Sequence, residues 1–330
     1  MNVNNTTIDR NEYIKVRVLY SVLSSFSISG SLFVLFVYWY FKDIRTFTFE
    51  VVIWLILSCL IDNSASLINL GLDQIKNNSQ CIIQGFIQIT FDNSILIWAA
   101  IIGYTSYMAV KDYNYLIINR SYLRKLYIII AFICPIVLSL GSYYFDCIGP
   151  SGGWCWLDTE TENEDKQNLV KTLIVTMFVI MWIFLVINSY FIIKVVLLLN
   201  SAIETMSDPE KEIIEKHTSK LKCYPIAMII CVLPSTINRL YTLITGNDSI
   251  YLIYIQTVFD SLTGLIVSVI FGLSPAVKDS IKYLCRSIFM KKSIIKENDF
   301  NSFIKENDLN NQNIDKNFNS FISNSSFIYQ

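Results

Sequence analysis

The chain has 330 residues, of which 53% are hydrophobic, 14% aromatic and only 16% charged, with a net charge of -1 at pH 7. Soluble domains carry nearer about a quarter charged residues, so these figures and a mean hydropathy of +0.45 exclude an ordinary soluble domain and offer no basic surface for nucleic acid. The eight cysteines show no CxxC spacing and the one histidine is His217, so no metal site, which needs about four such ligands, and no cofactor is expected.

An α-helix needs about 20 predominantly apolar residues to cross the hydrocarbon of a bilayer, where unpaired backbone polar groups are not tolerated. Seven runs meet that requirement. The first, 18–41, is uncharged and follows a polar segment, 1–15, that lacks the form of a cleavable signal. The second, 47–71, contains Asp62, and the third, 81–110, contains Asp92. The fourth, 126–145, and the fifth, 172–193, are uncharged. The sixth, 221–245, contains Arg239, and the seventh, 250–273, contains Asp260. The predicted fold class is an all-α membrane protein, a seven-helix transmembrane bundle with a short amphipathic helix after the seventh span.

Lysine and arginine in the connections set orientation. With the N-terminus outside, sixteen basic residues, among them Arg120 and Arg124, fall on the cytoplasmic side and six on the outer side. Sequons for N-glycosylation at Asn4, Asn5, Asn77 and Asn247 all lie on the outer side, as do the loop cysteines. This makes the chain a multi-pass protein, expected in the plasma membrane with its N-terminus extracellular.

After the last span, Val277, Ile281, Leu284 and Ile288 share one helical face, with Lys278, Lys282 and Arg286 off it, the pattern of a helix lying on the lipid surface. From about residue 293 the sequence is rich in Asn, Ser and Lys and reads as disordered. The expected organisation is therefore an N-terminal segment 1–15, a transmembrane domain 16–275, a juxtamembrane helix 276–292 and a cytoplasmic tail 293–330. In the third inner loop, Ser207 or Asp208 can cap a helix start ahead of Pro209, which would carry the sixth span into the cytoplasm.

Ionisable groups at membrane depth are costly, so each is a functional candidate. Asp62, Asp92, Asp260 and Arg239 all fall at mid-membrane or in the outer half and can face one cavity open to the outside. Arg239 reads two ways: a site for an anionic ligand, since guanidinium suits phosphate and carboxylate, or one half of an ion pair with an aspartate holding the bundle together. Asp62 and Asp260 read more as structural or switch residues. Cys81 at the outer end of the third span can bond the second outer loop through Cys147 or Cys155, leaving one unpaired. Pro225 and Pro234 in the sixth span mark either a fixed bend or a helix that swings.

Four stretches carry a family resemblance covering about residues 10–290: Gly153-Trp-Cys-Trp in the second outer loop, Ile237-Asn-Arg-Leu in the sixth span, Phe271-Gly-Leu-Ser-Pro closing the seventh, and the Asn-rich tail after a short basic helix. In this order the chain resembles the cyclic-AMP receptor family, the chemoattractant receptors of social amoebae and their receptor-like relatives. The resemblance implies an extracellular small-molecule ligand, cyclic AMP or another, and coupling to a heterotrimeric G protein. It nominates Cys155 as the partner of Cys81, assigns Arg239 to a ligand phosphate, and adds Asn238 and Trp156 to the ligand-binding candidates beside Asp92, Asp260 and Asp62. The family lacks the Asp-Arg-Tyr motif of rhodopsin-like receptors, and this chain reads Tyr107-Met-Ala-Val-Lys-Asp there.

The alternative is a seven-span transporter or channel, but internal repeats and broken mid-membrane helices are not evident. A retinal protein needs a lysine in the seventh span, and none lies between residues 250 and 277. No catalytic set is visible, with no histidine in a span, so an enzyme is not expected. The expectation is a receptor embedded in lipid that signals by movement of its sixth span.

Overall fold

A computed structural model describes residues 10–42, 44–68, 79–151, 153–159, 161, 163–203, 208–272, 277–278 and 282. Its elements run α1 (Arg10–Tyr40), α2 (Phe47–Ala65), α3 (Ser79–Lys111), α4 (Tyr113–Ile118), α5 (Arg120–Ile128), a π-helical turn (Ile129–Ile133), α6 (Cys134–Tyr144), β1 (Ile148–Ser151), β2 (Trp154–Leu157), α7 (Glu164–Ile203), α8 (Asp208–Thr245) and α9 (Ile250–Gly272). Seven of these stretches are long and apolar enough to cross a membrane, α5, the π turn and α6 together forming the fourth. The seven-span bundle is therefore the architecture of the described chain.

Helix boundaries depart from the hydropathy windows in a consistent way. α1 begins at Arg10, inside the segment read as the N-terminal tail, α7 exceeds its window at both ends, and α8 starts at Asp208, where the Asp-Pro cap signal lies. Hydropathy marks only the turns that sit in hydrocarbon, whereas a helix runs on through the polar boundary until its backbone meets a stop. α2 is the exception: it ends at Ala65, short of Gly71, with a turn at Ser66. The π turn falls one helical turn ahead of Pro135, whose missing N–H removes the partner of the Ala131 carbonyl. The juxtamembrane helix and tail (276–330), and the sequons at Asn4, Asn5 and Asn77, lie almost wholly outside the described residues.

Lipid is as apolar as leucine, so burial of apolar surface does not drive these helices together; small residues that let backbones approach do. α1 shows this. Ser24, Ser27 and Ser31 are fully buried, while Val18, Val22, Phe26 and Phe36 face outward. The Ser27 hydroxyl donates to the Ser261 carbonyl and accepts from the Leu265 N–H at 3.0 Å, joining α1 to α9. α3 runs through the middle, packed against α2 and α7. At Gly103 a Cβ would come within 2.7 Å of the Asn188 side-chain oxygen of α7 and 3.2 Å of its carbonyl, so a larger residue would force Asn188 to shift and press on α7.

The end of the bundle opposite the hairpin is closed by ion pairs. Glu50, in the first turn of α2, accepts from Arg120 Nη2 at 2.9 Å and from Arg124 Nη2 at 2.9 Å, with Arg124 Nε 2.5 Å from its other oxygen. The Glu50 side chain is 15% exposed and the arginines 43% and 41%, so solvent screens the pairs and each contributes about 1 kcal/mol or less. A double-mutant cycle of Glu50→Gln with Arg124→Gln, read by thermal unfolding in nanodiscs, is expected to give a coupling of about 0.5–1 kcal/mol. Zero coupling would show that the contact does not fasten α5 to α2.

Candidate functional site

The connection between α6 and α7 folds into an antiparallel hairpin that caps one end of the bundle. Its register pairs Ile148 with Leu157, Gly149 with Trp156, Pro150 with Cys155 and Ser151 with Trp154. Side chains alternate across a strand, so Trp154 and Trp156 share one face and Cys155 takes the other. A disulfide joins Cys155 to Cys81 at the start of α3, with 5.3 Å between the Cα atoms. One turn along α3, the Gln84 side-chain oxygen accepts from the Cys155 N–H at 3.2 Å. At Gly85 a Cβ would sit 2.5 Å from an Ile148 methyl and 3.2 Å from the Trp156 carbonyl, so glycine is what allows the hairpin to lie on the helix. Lys166, at the start of α7, pairs with Asp146 at 2.5 Å from the other flank.

Cys147 is left as a thiol. It is fully buried, its Sγ–H donates to the Phe145 carbonyl at 3.4 Å, and burial pushes the thiol above its ordinary value. Little thiolate is then present to attack the neighbouring disulfide.

Beneath the hairpin lies a cavity of about 130 Å³. Asp62 of α2, Asp92 of α3, Asp260 of α9 and Arg239 of α8 all line it, together with both hairpin tryptophans, Tyr20 and Gln88. The fold thus brings the four intramembrane charges to one space. Among the described residues, no three acidic, histidine or cysteine side chains converge as a metal would require.

Arg239 is 5% exposed. Its guanidinium carbon lies 4.9 Å from the ring centre of Trp156 and 6.0 Å from that of Trp154, within the range of a cation–π attraction. No described carboxylate comes within ion-pair distance of it, and its buried Nε has no hydrogen-bond partner. Among the described residues no direct ion pair therefore joins Arg239 to an aspartate, although Asp62, Asp92 and Asp260 share its cavity. Asp260 accepts from Ser235 at 2.5 Å, a bond between α9 and α8. Asp62 is buried with one oxygen unpartnered.

Asn238 is not among the residues lining the cavity. It is buried and donates to Gln256 of α9 at 2.6 Å, a bond that ties α8 to α9. Trp156 is half-buried, and Asn247 is exposed in the turn between α8 and α9, on the hairpin side. Sequence reading missed Trp154 and Tyr20, whose rings pack 5.7 Å apart, and Gln88, which donates to the Tyr20 hydroxyl at 2.6 Å. The Trp-Cys-Trp spacing held a signal for Trp154, because residues two apart on a strand face the same way. Nothing local marked Tyr20 or Gln88.

G-protein coupled receptor 1 of Arabidopsis thaliana is 24% identical over 267 residues, 78% of each chain. The sequence profile of the slime mold cyclic AMP receptor matches residues 6–327. This is a multi-pass membrane receptor of the G-protein-coupled kind, and with a match running almost from end to end the chain belongs to the slime mold cyclic AMP receptor family.

Proposed function

We propose that the chain is a plasma-membrane receptor with an extracellular N-terminus, and that its cavity takes an anionic, donor-rich small molecule of the cyclic AMP type. The observation that carries this reading is Arg239: a cation more than nine-tenths buried, facing the cavity, with no described carboxylate at ion-pair distance. Guanidinium offers paired donors that match a phosphate. Asp62, Asp92 and Asp260 are then left as acceptors for the exocyclic amine and ribose hydroxyl of a nucleotide, while Trp154 and Trp156 provide aromatic faces. The crowding of basic residues at the end away from the hairpin favours that end as cytoplasmic, and Asn247 then sits where a glycan can be added.

Bound ligand bridges the hairpin, α3, α8 and α9. It favours the state in which those elements close on it, and α8, hinged at Pro225 and Pro234, shifts its far end to admit a heterotrimeric G protein. The juxtamembrane helix (276–292) and tail (293–330) complete the cytoplasmic face in this reading. The test is cyclic-AMP binding to cells expressing the chain, with G-protein activation measured alongside. Saturable binding with activation is expected; no binding above mock-transfected cells, with receptor present at the surface, removes cyclic AMP as the ligand.

A further inference from the structure

Gln88 of α3 is 2% exposed and lines the cavity, yet only half of its amide is used. Its Nε2 donates to the Tyr20 hydroxyl of α1 at 2.6 Å. Its Oε1 is buried and has no hydrogen-bond partner among the described residues. A buried acceptor left unpaired costs more than a paired one contributes, so this oxygen marks a place for a donor that the chain itself does not supply.

The amide is held in this orientation by Tyr20. That ring packs 5.7 Å from Trp154 in a buried cluster with Val16 and Ile253, so α1, the hairpin and α9 together fix its hydroxyl. The three aspartates of the cavity draw the hydroxyl proton to their side and leave its lone pair for the Gln88 NH2. With the NH2 occupied, the amide shows the cavity an acceptor and not a donor. Asp92 stands four residues further along α3, on the same helix face, and also lines the cavity. Two acceptors about 6 Å apart along a helix axis suit an amino group, which carries two N–H donors. A carbonyl in that place would meet oxygen on both sides.

We propose that Gln88 is a specificity-determining residue: its carbonyl, set by Tyr20, accepts an N–H of the ligand's amino group and disfavours a ligand with a carbonyl at that position. The inference rests on the reading of the cavity as a nucleotide site and adds the residue that reads the base. In the empty cavity water can serve the Gln88 oxygen. A ligand that displaces this water brings a donor in its place or loses affinity.

The experiment titrates the full chain in nanodiscs with cyclic AMP and with cyclic IMP, in which a carbonyl replaces the amino group. The parent is expected to favour cyclic AMP by roughly tenfold or more, the effect of one buried acceptor left unpaired. Gln88→Met removes the acceptor and is expected to bring that ratio near one. Tyr20→Phe frees the amide to turn its NH2 inward and is expected to lower the ratio too. In the Gln88→Met background Tyr20→Phe should move it no further, because Tyr20 acts through Gln88. A role confined to packing would weaken both nucleotides together and leave the ratio unmoved; that result in Gln88→Met, or a ratio near one in the parent, would overturn the proposal. If neither nucleotide binds the parent, the cyclic-nucleotide reading fails by itself, and the ligand-free unfolding temperature decides the role of Gln88. Gln88→Met is then expected to unfold within a few degrees of the parent, since it removes an acceptor with no partner in the chain. A large drop would make the amide a structural bond and reject the assignment.

Discussion

Arg239→Ala is expected to abolish the ligand response while leaving the receptor at the cell surface. In the ligand-bound site the guanidinium holds the only positive charge among the described residues lining the cavity. Truncating one member of a buried, hydrogen-bonded charge pair costs about 2–5 kcal/mol, which is roughly 30-fold or more in affinity. Arg239→Lys keeps the charge but loses the planar fork and much of its stacking on Trp154 and Trp156, so an intermediate loss, roughly tenfold, is expected. Stability moves differently. Without ligand the cation has no carboxylate at ion-pair distance and an unpartnered Nε, so removing it relieves a desolvated charge and forfeits about 1–2 kcal/mol of cation–π attraction. The ligand-free Ala variant should therefore unfold within a few degrees of the parent. A structural ion pair would behave in the opposite way, with a large drop in unfolding temperature. Concentration–response curves with surface staining, and thermal unfolding of the purified protein, separate the two. Unchanged potency would remove Arg239 from the ligand role.

The second large effect belongs to the bond between Cys81 and Cys155. Cys81→Ser, Cys155→Ser and the double substitution are expected to give the same loss of response and of thermal stability, because each breaks one bond. The bond closes a stretch with a sequence separation of 74. In water that length corresponds to about 4–5 kcal/mol of loop entropy, but here α3 and the hairpin are already tethered by spans fixed in lipid. The unfolded ensemble is thus narrower and the expected loss smaller, about 2 kcal/mol. Function suffers more than stability, because the hairpin carries both tryptophans that Arg239 meets at the cavity. Additive effects of the two single substitutions, in unfolding temperature or in potency, would contradict the pairing.

Much of this was legible without coordinates. Seven apolar stretches of about 20 residues read as helical spans, since a helix satisfies its own backbone polar groups in hydrocarbon. Asp62, Asp92, Asp260 and Arg239 were predicted to share a cavity, and they line the same one. The helix ends were less legible, as at α7, because polar turns outside the lipid leave no mark in hydropathy. Glu50 passed unnoticed in the sequence: its partners Arg120 and Arg124 were read only as topological signals, and a pairing between positions this far apart has no local trace.

The division is clearest at Arg239. A cation in a run of apolar residues identifies itself in one dimension, because the cost of burying charge depends on residue type and depth alone. Whether that cation pairs with an aspartate, stacks on tryptophan or opens onto lipid depends on distances of a few ångströms between five separate elements. Here the disulfide sets the hairpin on α3, Asn238 and Gln256 fix α8 against α9, and the guanidinium meets two indole rings at the cavity. The membrane dictated the spans through the sequence; helix packing and the seating of the hairpin decided what the buried charge meets.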